Sequence, residues 1–186
     1  MLTTDKNTMG RPFNQMAASV AHVLLFACVL HSSVSATNLN AGLDSYISGG
    51  TFNTILSDNT HIGAGQKNVV LDGANMSAIA GGLDNVISAA HAFIGAGTNN
   101  SAMLNCVVGG GSDNVASGVA AVVTGGIRNT ASANQATVAG GESNAAVGLN
   151  SAVGGGMSND ATGSKSVVSG GVLNTARGEF AAVSGG

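Results

Sequence analysis

The chain has little of what most soluble folds and most active sites are built from. Among 186 residues there is no tryptophan, one proline and two cysteines, and only 8% are charged. The formal net charge is −3, so the basic surface that holds nucleic acid or an anionic membrane is missing. Long apolar runs are scarce as well. The one candidate, Ala17 to Leu30, has the length of a signal-peptide core and is short for a membrane span. Lys6 and Arg11 precede it, and Val34-Ser35-Ala36 supplies small residues where a signal peptidase cuts. Residues 1–36 are therefore expected to be a signal peptide removed before Thr37, leaving a secreted or cell-surface chain; the alternative is an N-terminal anchor that stays in place. Cleavage takes away His22, Cys28 and His31 and leaves Cys106 as the remaining thiol, which excludes an intramolecular disulfide framework.

What the chain does have is glycine, 29 of them, together with 44% hydrophobic residues. Glycine-rich chains that bury little apolar surface stay disordered, but here valine and isoleucine keep a register. Val168 to Ala182 reads V-S-G-G-V-L-N-T-A-R-G-E-F-A-A, and Val153 to Val167 before it reads V-G-G-G-M-S-N-D-A-T-G-S-K-S-V. Counting the β-branched residue as position one, that position holds Ile47, Ile62, Ile79, Ile94, Val108, Val123, Val138, Val153, Val168 and Val183. Position four is glycine from Gly50 to Gly186. Position seven is Asn53, Asn68, Asn85, Asn100, Asn114, Asn129, Asn144, Asn159 and Asn174, and one period further back it falls on Asn38. The repeat thus starts beside the expected cleavage point.

Within a period the alternation is two, not 3.6, which argues for strands. Positions fourteen, one and three form one alternating set, and positions seven, nine and eleven form another. Gly-x-x segments lie between them as turns, because glycine tolerates positive φ. The expected fold is all-β, a parallel β-solenoid or β-roll of about ten 15-residue coils with two short strands per coil, spanning residues 37–186. Positions one, three, nine and fourteen are expected to face inward, with Ile55, Val70 and Ile87 thickening the core near the N-terminal end. The asparagines are expected to form a structural ladder that satisfies turn backbone. Two coils break the count: Ile62 to Ala78 is longer by a turn insertion around Asp72 to Met76, and Ile94 to Val107 is shorter at the same turn.

Position fifteen carries Phe93, Val107, Val122, Thr137, Ala152, Val167 and Ala182, beside small residues at position two. A continuous apolar strip of this kind marks an interface, so Phe93, Val107, Val122 and Val167 are expected to pack against another copy of the chain. Asn75 and Asn99 stand in N-x-S sequons and are candidate glycosylation sites if the host is eukaryotic.

The units S-G-G-V-L-N-T-A-R-G, T-G-G-I-R-N-T-A-S-A and G-G-G-S-D-N-V-A-S-G resemble the head repeats of YadA-type trimeric autotransporter adhesins over about residues 38–186. The resemblance implies a left-handed parallel β-roll, a homotrimer, and attachment to extracellular matrix, a cell surface or a glycan. The sequence departs from that family's pattern in lacking the neck, the heptad stalk and the C-terminal membrane barrel, and it stops at Gly185-Gly186 in mid-coil. A fragment, a truncated product or a head-only secreted protein is therefore expected.

No chemistry of the usual kinds is expected. No Gly-Lys-Ser/Thr follows a glycine-rich loop, so there is no phosphate cradle. Asp84 and Asp113 share position six with Ser143 and Ser158, so repeated calcium loops are not expected. His61 and His91 have no fixed carboxylate and no ligand spacing. Cys106 reads as an alanine-sized core residue, since no positive neighbour activates it. The sequence predicts a non-catalytic module without a cofactor or a metal. The alternative function is an ice- or crystal-binding solenoid, for which position eight offers Thr54, Thr130 and Thr175.

Overall fold

The asparagine and glycine columns set the path of the chain. In the computed structural model, which describes residues 37–186, twenty two-residue strands run from β1 (Leu39–Asn40) to β20 (Ala182–Val183). The odd-numbered strands form one ten-stranded sheet and the even-numbered strands another. Every pairing is parallel and joins a coil to the next, as in Val123↔Val138 and Ala131↔Ala146. The fold is an all-β solenoid of about ten coils with two short strands per coil. A third line of parallel bridges joins position five of successive coils, from Thr51↔Gln66 to Met157↔Val172.

Each strand offers one residue outward and one inward. Away from the two end coils the inward residues at positions one and nine are fully covered, among them Ile62, Ile94, Val123, Ile55, Val70 and Ile87. They belong to one continuous core between the sheets. Each buried valine or isoleucine contributes roughly 1.5–3 kcal/mol. The large residues at position nine sit in the early coils, where Ile55, Val70 and Ile87 give way to Ala102, Ala116 and Ala131. Position fourteen fills the remaining space with small side chains, including Cys106, Ala121, Ser151 and Ser166. The Cys106 thiol is buried and donates to the Gly118 carbonyl at 2.8 Å.

The asparagine column is the polar half of the interior. From Asn53 to Asn174, each position-seven N–H donates to the Oδ1 of the asparagine one coil before, at 2.9–3.1 Å. Each side-chain Nδ2 donates twice more. One bond reaches the position-three carbonyl of its own coil, as Asn129 to Gly125 at 2.9 Å. The other reaches the position-four glycine of the next coil, as Asn129 to Gly141 at 2.9 Å. Position four must be glycine for two reasons. Gly126 has φ 89, and a Cβ there would lie 2.2 Å from the Gly141 carbonyl oxygen and 2.5 Å from Asn129 Nδ2.

Two features differ from the sequence expectation. Position three does not line the core: Ala64 and Ala96 are exposed, and a side chain built on Gly49 or Gly170 would meet nothing within 4 Å. Its carbonyl is turned toward the asparagine amide, which directs the α-carbon substituent outward. Left-handed backbone is also not confined to glycine. Position six, as in Phe52, Arg128 and Leu173, and position thirteen, as in Met76, Ala120 and Phe180, all have φ between 56 and 59. Hydrogen bonds from these residues' N–H groups to the preceding coil, such as Arg128 to Ser112 and Phe180 to Ser164, hold the conformation against its intrinsic cost. The turn insertion and the deletion fall where expected, since His61 pairs with Ala78 and Phe93 with Val107 in unbroken register.

Two substitutions of opposite sign check this account. Asn129→Ala removes two donated bonds and leaves the buried Asn144 N–H without its acceptor, and is expected to cost about 3 kcal/mol or more. Ser151 Oγ is buried without a hydrogen-bond partner, so Ser151→Ala is expected to stabilise by about 1 kcal/mol. Urea unfolding followed by circular dichroism reads both.

Candidate functional site

With the interior committed to packing and to the asparagine ladder, any contact with another molecule must come from outward positions. Position fifteen is the outward residue of the even-numbered strands. Its line runs Tyr46, His61, Ala78, Phe93, Val107, Val122, Thr137, Ala152, Val167, Ala182, each paired with the next. Phe93 and Val167 are 42% and 40% exposed, while Val107 and Val122 are half-buried. The structure brings Phe93, Val107 and Val122 together on consecutive rungs and places Val167 three rungs beyond Val122. Parallel stacking turns a residue type repeated every fifteen positions into a continuous ribbon with rungs about 4.8 Å apart.

Other outward columns are apolar as well, which sequence reasoning missed. Position five exposes Leu83, Ile127, Met157 and Val172, and the turn after the odd-numbered strands exposes Leu56, Leu71, Met103, Leu104, Val147 and Leu149. The signal is present in the sequence, in positions five, ten and twelve read down their columns. Bulky apolar residues also occupy left-handed turns in the open: Leu173 is 76% and Phe180 66% exposed. The Lys165 ammonium lies 4.5 Å from the Phe180 ring centroid and 3.7 Å from Glu179.

The asparagines Asn38, Asn53, Asn68, Asn85, Asn100, Asn114, Asn129, Asn144, Asn159 and Asn174 lie in one line. Those from Asn53 to Asn159 are buried, and their amides are spent on backbone. The two sequon asparagines are both exposed. Asn75 sits in the lengthened turn, where its Oδ1 accepts from Ser57 Oγ at 2.7 Å and from the Asp58 N–H at 3.1 Å. Asn99 occupies a left-handed position-six turn and donates to Asp113 Oδ1 at 2.7 Å.

At the N-terminal end of the position-fifteen ribbon lies an open groove of about 470 Å³, lined by residues including His61, Ala78, Phe93, Met76 and His91. Neither histidine stands beside a carboxylate in the lining, and among the described residues no three His, Cys, Asp or Glu side chains come together as a metal site. Among the described residues no helix is long and apolar enough to cross a membrane. The expected signal peptide, with His22, Cys28 and His31, lies outside the described residues. The chain matches no protein-family model and no curated protein.

One carboxylate is electrostatically distinctive. Asp113 is fully exposed, yet hydrogen bonds from Ser112 Oγ and Asn99 Nδ2, with the Arg128 charge nearby, hold its carboxyl below the ordinary carboxylate range. A carboxyl depressed in the folded state supports folding above its unfolded-state value, and that support is lost as pH falls through the folded value. An NMR titration is expected to place the Asp113 midpoint below the model-peptide value, and Ser112→Ala is expected to move it back up.

Proposed function

We propose that residues 37–186 form the head of a non-catalytic adhesion module, secreted or displayed at a cell surface, that works as a homo-oligomer and presents its turns to a matrix, a cell surface or a glycan. The observation that carries this reading is the apolar position-fifteen ribbon. Phe93, Val107, Val122 and Val167 lie in register on an outer sheet face, where a monomer would leave them in water. Two further points support it. The asparagine amides of the interior are committed to the backbone and to one another. The repeats S-G-G-V-L-N-T-A-R-G and their neighbours resemble adhesin heads, and that resemblance supplies the trimer and the left-handed roll as parts of the proposal.

The ribbon's partner is another ribbon of the same chain. From Phe93 to Ala182 the coils offer phenylalanine, valine, threonine or alanine at a constant rung spacing, so a second copy with the same spacing meets that stretch of the ribbon. A heterologous C3 arrangement would also draw on a second apolar column, for which Ile127, Met157 and Val172 are available. Analytical ultracentrifugation of the full chain is expected to give a stable oligomer, with mass three times the protomer. Val122→Glu places a charge at the centre of the ribbon and is expected to yield folded protomers. A wild-type chain that sediments as a monomer at micromolar concentration would sink the oligomeric reading, and a positive polysaccharide-cleavage screen would sink the non-catalytic one.

A further inference from the structure

Four successive rungs at the N-terminal end of the ribbon carry Tyr46, His61, Ala78 and Phe93. The first two side chains are stacked, with ring centroids 4.1 Å apart and planes 26° apart. His61 is held further by Ser48, whose Oγ lies 3.0 Å from Nε2. The third rung then breaks the column of rings, because Ala78 supplies only a methyl group, and the fourth restores it with the exposed Phe93 ring. The result is an open slot in the groove at the Ala78 rung, with the His61 and Phe93 rungs on either side as its walls. A ring placed on the Ala78 rung would lie about 4.8 Å from each wall, inside the roughly 4.5–7 Å span of offset-stacked ring pairs.

The lengthened turn builds one rim of the slot. Met76 belongs to that turn, and its N–H donates to the Asp58 carbonyl at 3.2 Å. Asn75 fastens the turn to the preceding coil through Ser57 and Asp58, and its carbonyl accepts the His91 N–H at 3.0 Å. The two residues that upset the fifteen-residue count thus set Met76 and His91 beside the vacant rung. Asn59 completes the rim, and no Lys, Arg, Asp or Glu lines the groove. The absence of formal charge selects an uncharged ligand, and polar side chains at the edge of an otherwise apolar groove select one that carries hydrogen-bonding groups around its perimeter.

We propose that this slot binds a neutral pyranose ring of a glycan. A pyranose chair presents C–H groups to both walls, and its ring hydroxyls point outward toward the Asn59 amide and the His91 imidazole. A flat aromatic side chain from a protein partner would also fill the missing rung but would leave those two polar groups unused. The choice of a glycan rests on the adhesion reading above; the slot itself does not depend on the oligomer. Phe93 is the point where the slot meets the proposed subunit ribbon, and the slot opens on the side of His61 and Ala78.

The protein supplies its own reporter. Tyr46 is the single tyrosine and there is no tryptophan, so intrinsic fluorescence of the full chain reads the stack that forms one wall. Titration with methyl β-galactopyranoside and with methyl N-acetyl-β-glucosaminide is expected to give a saturable change for at least one, with a Kd on the order of 1 mM. Ala78→Phe completes the ring column and is expected to weaken that binding by about tenfold or more, with an unchanged circular dichroism spectrum. Should that variant fail to fold, Phe93→Ala decides instead and is expected to show the same loss, with its oligomeric state checked by ultracentrifugation because Phe93 also belongs to the proposed subunit ribbon. The proposal falls if neither glycoside gives a saturable change, if p-cresol binds more tightly than both in an NMR titration (its phenol emits where Tyr46 does), or if the deciding variant binds as well as the wild type. An oligomer that binds no glycoside defeats the slot and leaves the oligomeric reading standing. A monomer that binds one does the reverse.

Discussion

One side-chain amide per coil holds the structure in register. In each turn the position-seven asparagine accepts from the asparagine that follows it and donates to two carbonyls, one in its own coil and one in the next. Those bonds satisfy turn backbone that the short strands cannot reach, and buried backbone groups without partners are costly. They also require the next coil to approach closely, which is why a glycine with φ near 90 stands at position four. Asparagine and glycine are therefore one constraint: the amide sets the spacing, and the missing Cβ makes the spacing possible. The valine and isoleucine core then packs along a path already defined.

The same constraint separates inside from outside. Residues at positions one, seven, nine and fourteen have little freedom, whereas positions five, six, eight, ten, twelve, thirteen and fifteen face water and vary in type along the chain. Outward variation in a solenoid is a linear record, because each substitution lands on a known rung. The position-fifteen line reads as a ribbon of Val, Ala and Thr ending in a cluster of rings. That cluster coincides with the one coil that carries two extra residues. A longer turn costs little loop entropy, and here it builds a rim beside a gap in the ring column.

Much of this was legible from residue types at constant intervals. The glycine and asparagine columns announced the coil, and the alternation around Val123 and Ala131 announced the two inward faces. The ribbon from Phe93 to Val167 was readable for the same reason. Position three departs from the expectation because the alternation does not extend two residues past the end of the strand, where the backbone turns its carbonyl toward the asparagine. The left-handed residues Phe52, Met76, Leu173 and Phe180 were not foreseen, since their side chains carry no preference for that conformation. Only the hydrogen bond to the previous coil makes it favourable. Columns five, ten and twelve were legible in principle, but their apolar members alternate with Gln66, Ser112 and Asn134 and form no unbroken run.

By itself the sequence determined the period, the all-β solenoid and the inward direction of positions one, nine and fourteen, because those follow from backbone rules that act identically in every coil. It did not determine which outward side chains become neighbours in space. Tyr46, His61, Ala78 and Phe93 are separated by 15, 17 and 15 residues, and the unequal count obscures their alignment. Parallel pairing absorbs the extra residues in the turn and keeps the rungs level. Only that tertiary register stacks the first two rings and leaves a gap of one rung before the fourth.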